Sequence, residues 1–162
     1  MTQEQKAFLD LCIVEQDSYD IISSKLTIPR VVLTQWYEEL KEERQKIAEI
    51  RNLWTRKKIK IEFKHFYNWY LSKERKCFYC NITEPQIKHL LDSGNLSTKR
   101  IITRGKKLEL DRKEPNLQYD NIDNLVFACY WCNNAKTDTF TEEEFKKVGK
   151  VFEEIWKTRL EQ

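Results

Sequence analysis

Hydrophobic positions in this chain recur mostly at helical spacing. Thr2, with Gln5 three residues on, has the form of a capping box. Phe8, Leu9, Cys12 and Ile13 then fall at i, i+1, i+4 and i+5, the stripe of a packed helix. Cys12 lies within that stripe and is expected to be a small buried hydrophobe. After the N-cap types Asp17 and Ser18, apolar residues at 22, 26, 28, 33 and 36, with Pro29 opening the next helix, predict two short helices joined by a tight turn. Residues 38–56 read as a charged connecting helix with a sparse stripe of Leu40, Ile47, Ile50 and Trp54. Phe63, Phe66, Tyr67 and Tyr70 continue at helical spacing, as core residues ahead of any base-stacking role.

Further along, Thr83 with Gln86 caps a short helix ending near Gly94. That helix carries His89, read as structural, with Leu90 and Leu91. Residues 100–103 and 107–111 are strand-like, with Arg104-Gly105 as the turn between them, and 125–129 is a further apolar strand. Thr141 with Glu144 opens a last helix running through Phe145, Val148, Phe152, Ile155 and Trp156. The expected fold class is mainly α with a small β-hairpin.

Composition narrows the class. The chain has 162 residues, 40% hydrophobic and 34% charged, enough for one domain or two small ones. Only three Gly and three Pro argue against a disordered or turn-rich all-β chain. No window approaches the ~20 uncharged apolar residues of a membrane span, and the polar start after Met1 lacks the apolar core of a signal peptide. A soluble cytoplasmic protein with no membrane partner is expected. The net charge of +3 is unevenly divided. Residues 51–113 carry 17 Lys and Arg against 6 Asp and Glu, a net of +11, and the rest carry 12 against 20, a net of −8. A basic middle suits a polyanion backbone, and a solvated basic helix explains the charge equally well.

Residues 17–37 resemble the helix-turn-helix of DNA-binding proteins, with Arg30 to Tyr37 starting the recognition helix. Ser23 takes the small-residue place and Thr27 stands where glycine is usual. Residues 1–40 hold 3 Lys and Arg against 7 Asp and Glu. A three-helix packing or dimerisation module therefore fits as well.

Four of the five cysteines form two Cys-x-x-Cys pairs, Cys77/Cys80 and Cys129/Cys132, with 48 residues between the pairs. Four thiolates are what a tetrahedral structural zinc requires, and the long gap means that the metal staples two distant pieces of chain. Redox chemistry needs only one pair. The intervening and following residues include Leu110-Asp111-Arg112, Tyr119, Asn124-Leu125 and Cys129-Tyr-Trp-Cys132-Asn133-Asn134-Ala-Lys136. In that order they resemble the HNH endonucleases, over about residues 76–150, and within them the compact HNH restriction endonucleases of the PacI type, which write Asp-Arg where most write Asp-His.

The resemblance implies a zinc-stapled ββα-metal domain. It also implies a catalytic site of Asp111, Arg112, Asn133, Asn124 and Tyr119, with Asp111 and Asn133 holding Mg²⁺ or Mn²⁺. The chemistry agrees: Mg²⁺ prefers oxygen donors, and phosphodiester cleavage needs a cation on the scissile phosphate and leaving oxygen. Arg112 cannot act as a base, so it is assigned to the phosphate. Tyr119, Tyr70 and His65 remain open as the base. Asn124 is expected to order its loop, and Lys136 to contact phosphate or lie solvated on its helix.

The expected domains are 1–45, helix-turn-helix-like; 46–75, basic connecting helices; and 76–162, the nuclease domain with its C-terminal helix. The leading reading is a restriction or defence endonuclease acting on double-stranded DNA as a homodimer. Alternatives are a monomeric nicking or homing-type enzyme, a non-catalytic DNA-binding regulator, and an RNA-acting nuclease with the same site.

Overall fold

The computed structural model describes residues 1–99 and 104–162. The chain divides into two compact units, Met1–Ser72 and Lys73–Gln162.

The first unit is helical: α1 (Gln3–Leu9), a π-helical continuation (Asp10–Glu15), α2 (Tyr19–Leu26), α3 (Arg30–Glu39), α4 (Lys41–Arg56) and α5 (Phe63–Ser72). The Thr2–Gln5 capping box forms, and the Ser18 hydroxyl caps α2 by accepting from the Ile21 amide. Phe8 is fully buried, with Tyr19 and Trp36 edge-on to its ring, each at 6.0 Å between centroids. Cys12, expected to be buried, is half-buried instead, because the π-helical turn shifts it off the α-helical stripe. Burial pushes its thiol pKa up.

The α2–α3 turn is tight. Thr27 closes α2 in the left-handed region at φ 57°, where a glycine would sit without strain. The Ser23 hydroxyl donates to the Ile28 carbonyl at 2.6 Å and fixes the turn from below. Ile22 and Leu33 are fully buried between the two helices' neighbours. The predicted connecting helix is interrupted at Leu40, which ends α3 and starts α4.

The second unit contains α6 (Glu84–Asp92), β1 (Glu109–Arg112), β2 (Leu125–Ala128), α7 (Tyr130–Lys136) and α8 (Glu142–Leu160). β1 and β2 pair antiparallel, with Glu109 opposite Ala128 and Asp111 opposite Val126. The apolar run at 125–128 is buried throughout, as a strand covered on both faces should be. The strand expected at 100–103 lies outside the described residues, and the strand expected at 107–111 is two residues shorter at its start. Both predicted capping boxes, Thr83–Gln86 and Thr141–Glu144, are formed. On α8, Phe145 and Trp156 are buried, but Val148 and Ile155, expected on the core side, are 40% exposed. The helix buries the Phe145–Gly149–Trp156 side, so its apolar stripe is wider than its contact. His89 is exposed on α6 and has no core role. Among the described residues no helix is long and apolar enough to cross a membrane.

Candidate functional site

Both Cys-x-x-Cys segments make the turns that bring their thiols inward. Between Cys77 and Cys80 the chain reverses: the Cys77 amide donates to Ile82 O and the Asn81 amide to Cys77 O, each at 2.9 Å, with Asn81 at φ 60°. The Phe78 amide donates to Phe127 O at 2.8 Å, which ties this turn to β2. At the other end of β2, Cys129 is the N-cap of α7, its sulfur accepting from the Cys132 amide at 3.4 Å.

The four Sγ atoms lie within 4.8 Å of one another, and all four thiols are free and buried. A zinc tetrahedron with Zn–S bonds of about 2.3 Å has edges of about 3.8 Å, and Cys80 Sγ and Cys129 Sγ stand 3.7 Å apart. Hydrogen bonds from Cys129, Cys132 and Cys80 hold the Cys77 thiol far below its ordinary pKa, while Cys132 is pushed far up by the Cys129 thiol and its other neighbours. A divalent cation is what lets four thiols this close ionise together. The donor set fits structural zinc, and it clamps the start of α7 to the turn before α6.

That clamp sets β1 against α7. Asp111 and Glu109, two residues apart on β1, project from the same side of the strand. Asp111 is buried, and its Oδ2 accepts from the Tyr79 hydroxyl at 3.1 Å. The ammonium of Lys136, at the end of α7, stands 3.9 Å from the same oxygen and donates to the Arg112 carbonyl at 2.8 Å. Lys136 is 0% exposed, so neither of its expected places, on phosphate or solvated on the helix surface, is the one found. The short α7 turns its last residue under the hairpin, and the buried carboxylate and carbonyl satisfy the ammonium there.

Asn133 Nδ2 donates to Glu109 Oε2 at 2.6 Å, and Glu109 also receives Arg104 Nε at 2.8 Å. This orients the Asn133 amide, with its oxygen turned away from Glu109. Burial pushes the Tyr79 phenol far above its ordinary pKa, with the Asp111 charge adding to the effect, so Tyr79 is a proton donor and not a base.

Arg112 Nη1 donates to the Leu117 carbonyl at 2.7 Å, and its guanidinium carbon lies 4.7 Å from the Tyr119 ring centroid. Its Nε is buried, with no hydrogen-bond partner among the described residues. Asn124 is buried and bonds both backbone polar groups of Glu114: Oδ1 accepts from the Glu114 amide at 2.8 Å, and Nδ2 donates to its carbonyl at 3.2 Å. The loop that carries Arg112 to Tyr119 is thereby closed on itself. Of the three residues left open as the base, Tyr119 is in this unit, while Tyr70 and His65 are on α5 of the other.

Sequence reasoning missed Tyr79 and Glu109. Tyr79 lies inside a Cys-x-x-Cys turn and Glu109 two residues before Asp111; that period-two spacing is the one signal available for Glu109.

A two-stranded antiparallel hairpin and a following helix, stapled by four cysteines within a mostly helical chain, make an HNH-like fold. Comparison with solved structures finds the rare-cutting HNH restriction endonuclease PacI, at 24% identity and a TM-score of 0.51, over 69% of this chain and 77% of that one. No family model and no curated protein matches the sequence.

Proposed function

We propose that this protein is a metal-dependent endonuclease that hydrolyses phosphodiester bonds of double-stranded DNA, a type II restriction or defence enzyme that acts as a homodimer in the cytoplasm. The observation that carries the reading is a single one. An HNH-like hairpin and helix stand beside a four-cysteine cluster, in a fold similar to that of an HNH restriction endonuclease, with Asp111 and Arg112 on β1 and Asn133 on α7. Four buried cysteines without a disulfide among them suit a reducing compartment.

Asp111 and Asn133 offer a carboxylate and an amide oxygen, the hard donors that Mg²⁺ or Mn²⁺ takes alongside water and phosphate. Bound there, the cation supplies charge stabilisation at the scissile phosphate and the leaving 3′ oxygen. Arg112, a guanidinium and so no base, is assigned to the scissile phosphate. Tyr119, whose ring lies against the Arg112 guanidinium, is the candidate in this unit for orienting the attacking water. Asn124 holds the loop that carries both. Zinc at Cys77, Cys80, Cys129 and Cys132 is structural, and it keeps α7 on the hairpin. The α2–turn–α3 pair is the candidate DNA-reading element, with Val31, Thr34 and Gln35 exposed along α3.

Supercoiled plasmid incubated in Mg²⁺ or Mn²⁺ tests the reading. The expected result is linear product from the native chain and none from Asp111→Ala or in chelator. Nicked circles alone would replace the homodimer with a monomeric nicking enzyme. Tight DNA binding with no cleavage in either metal would replace the enzyme with a regulator.

A further inference from the structure

We propose that Tyr79 and Lys136 are positioning residues for Asp111, which fix its carboxylate for the divalent cation; the inference rests on the reading of Asp111 as a metal ligand. A hydrogen-bond donor and a cation from different elements converge on one carboxylate oxygen. The Tyr79 hydroxyl comes from the first cysteine turn, 3.1 Å from Oδ2, and the Lys136 ammonium comes from the last turn of α7, 3.9 Å from it. Lys136 also donates to the carbonyl of Arg112, so one ammonium fixes the end of β1 at two successive residues.

Neither group is placed by solvent. Tyr79 is 3% exposed, and its ring stands edge-on to Phe145 at 5.1 Å between centroids. Gly149 of α8 lies against the Tyr79 backbone so closely that a methyl there would run into the carbonyl oxygen. The hydroxyl is therefore held by packing on both sides. A lysine with no exposure is costly to bury, and an ion pair in that setting contributes little net stability compared with apolar side chains of like volume. Its presence under the strand that carries Asp111 and Arg112 is accounted for by position.

The physical consequence concerns the ligand and not the reaction directly. A carboxylate with one oxygen hydrogen-bonded to Tyr79 and ion-paired with Lys136 is restrained about its Cβ–Cγ bond, so it meets a cation in a preferred orientation. Partners of this kind behind a metal ligand change metal affinity by about ten- to a hundred-fold when removed.

The test is Mn²⁺ binding to the full chain without DNA, followed by the electron paramagnetic resonance of free Mn²⁺, for the native protein, Tyr79→Phe, Lys136→Met and Asp111→Asn. Zinc content and melting temperature serve as fold checks. Tyr79→Phe is expected to keep its zinc and to weaken Mn²⁺ binding by about ten- to a hundred-fold. In cleavage, the Mn²⁺ needed for half-maximal rate should rise by the same factor, with the rate at saturating Mn²⁺ near that of the native chain. Unchanged Mn²⁺ affinity in a zinc-loaded Tyr79→Phe, beside lost binding in Asp111→Asn, would overturn the positioning role alone. Native-like Mn²⁺ binding by Asp111→Asn would overturn the metal-ligand reading beneath it. Should Lys136→Met fail to fold, Tyr79→Phe, which removes a single oxygen atom, decides the matter.

Discussion

Replacing Cys129 with Ser tests the zinc staple at its most connected point. Cys129 closes the cluster with Cys80 at 3.7 Å between sulfurs, and it caps α7 through the Cys132 amide. Loss of the cap alone costs about 1 kcal/mol at most, since Ser is itself a good N-cap. Loss of the metal is far larger. Structural zinc contributes roughly 10–16 kcal/mol in small four-ligand sites at neutral pH, against a total of about 5–15 kcal/mol for an ordinary domain. The site also joins segments 48 residues apart, between which the described chain offers two four-residue strands, one α-helix and one turn of 3-10 helix. Cys129→Ser should therefore bind less than one equivalent of zinc by elemental analysis. It should also lose the near-ultraviolet circular dichroism of the Trp131–Trp156 pair, whose rings stand 5.1 Å apart in this unit. Cys12→Ser, outside the cluster, should keep both. A Cys129→Ser chain with the native melting curve and aromatic signal would refute the structural role of zinc.

Asn124→Ala removes two hydrogen bonds to the half-buried Glu114 backbone, which should cost about 1–3 kcal/mol in urea unfolding and abolish cleavage. Gly149→Ala drives a methyl into the Tyr79 carbonyl, so α8 must shift; a loss of about 1–3 kcal/mol is expected for such overpacking, and a melting temperature at or above the native value would contradict the packing. Arg51→Met removes the guanidinium that donates to the carbonyls of Ile13 and Val14, at 2.6 and 3.0 Å, where the π-helical segment ends. Urea unfolding should show a destabilisation of about 1–3 kcal/mol, and an unchanged midpoint would show that water replaces it.

Much of this architecture was legible because its signals are local. The capping boxes at Thr2, Thr83 and Thr141 each need only two side chains three residues apart, and all three are formed. The four cysteines announced their own proximity, since no other chemistry suits two such pairs in this chain. What the sequence concealed is long-range or depends on rotation about a helix axis. Lys136 reads as a surface lysine in any window, and its burial follows from α7 ending beneath a strand 24 residues earlier in the chain. Val148 and Ile155 fall in an apolar stripe, but only Phe145, Gly149 and Trp156 face the core, and periodicity does not say how wide the contact will be. Cys12 left its predicted stripe because a π-helical turn changes the angle per residue, which no local composition marks. Tyr79 and Glu109 escaped notice because each meets the candidate site through a hydrogen bond to another side chain, and such a partner carries no spacing rule of its own.

Long bacteriophage DNA, digested in Mg²⁺ or Mn²⁺ with protein never exposed to chelator and with Asp111→Ala alongside, tests the central claim directly, once the fragment ends are sequenced. Discrete fragments whose ends share one short palindromic sequence, absent from the Asp111→Ala digest, are the predicted result. Intact DNA in every digest from protein that still carries its zinc would contradict it, as would identical fragments from the Asp111→Ala protein.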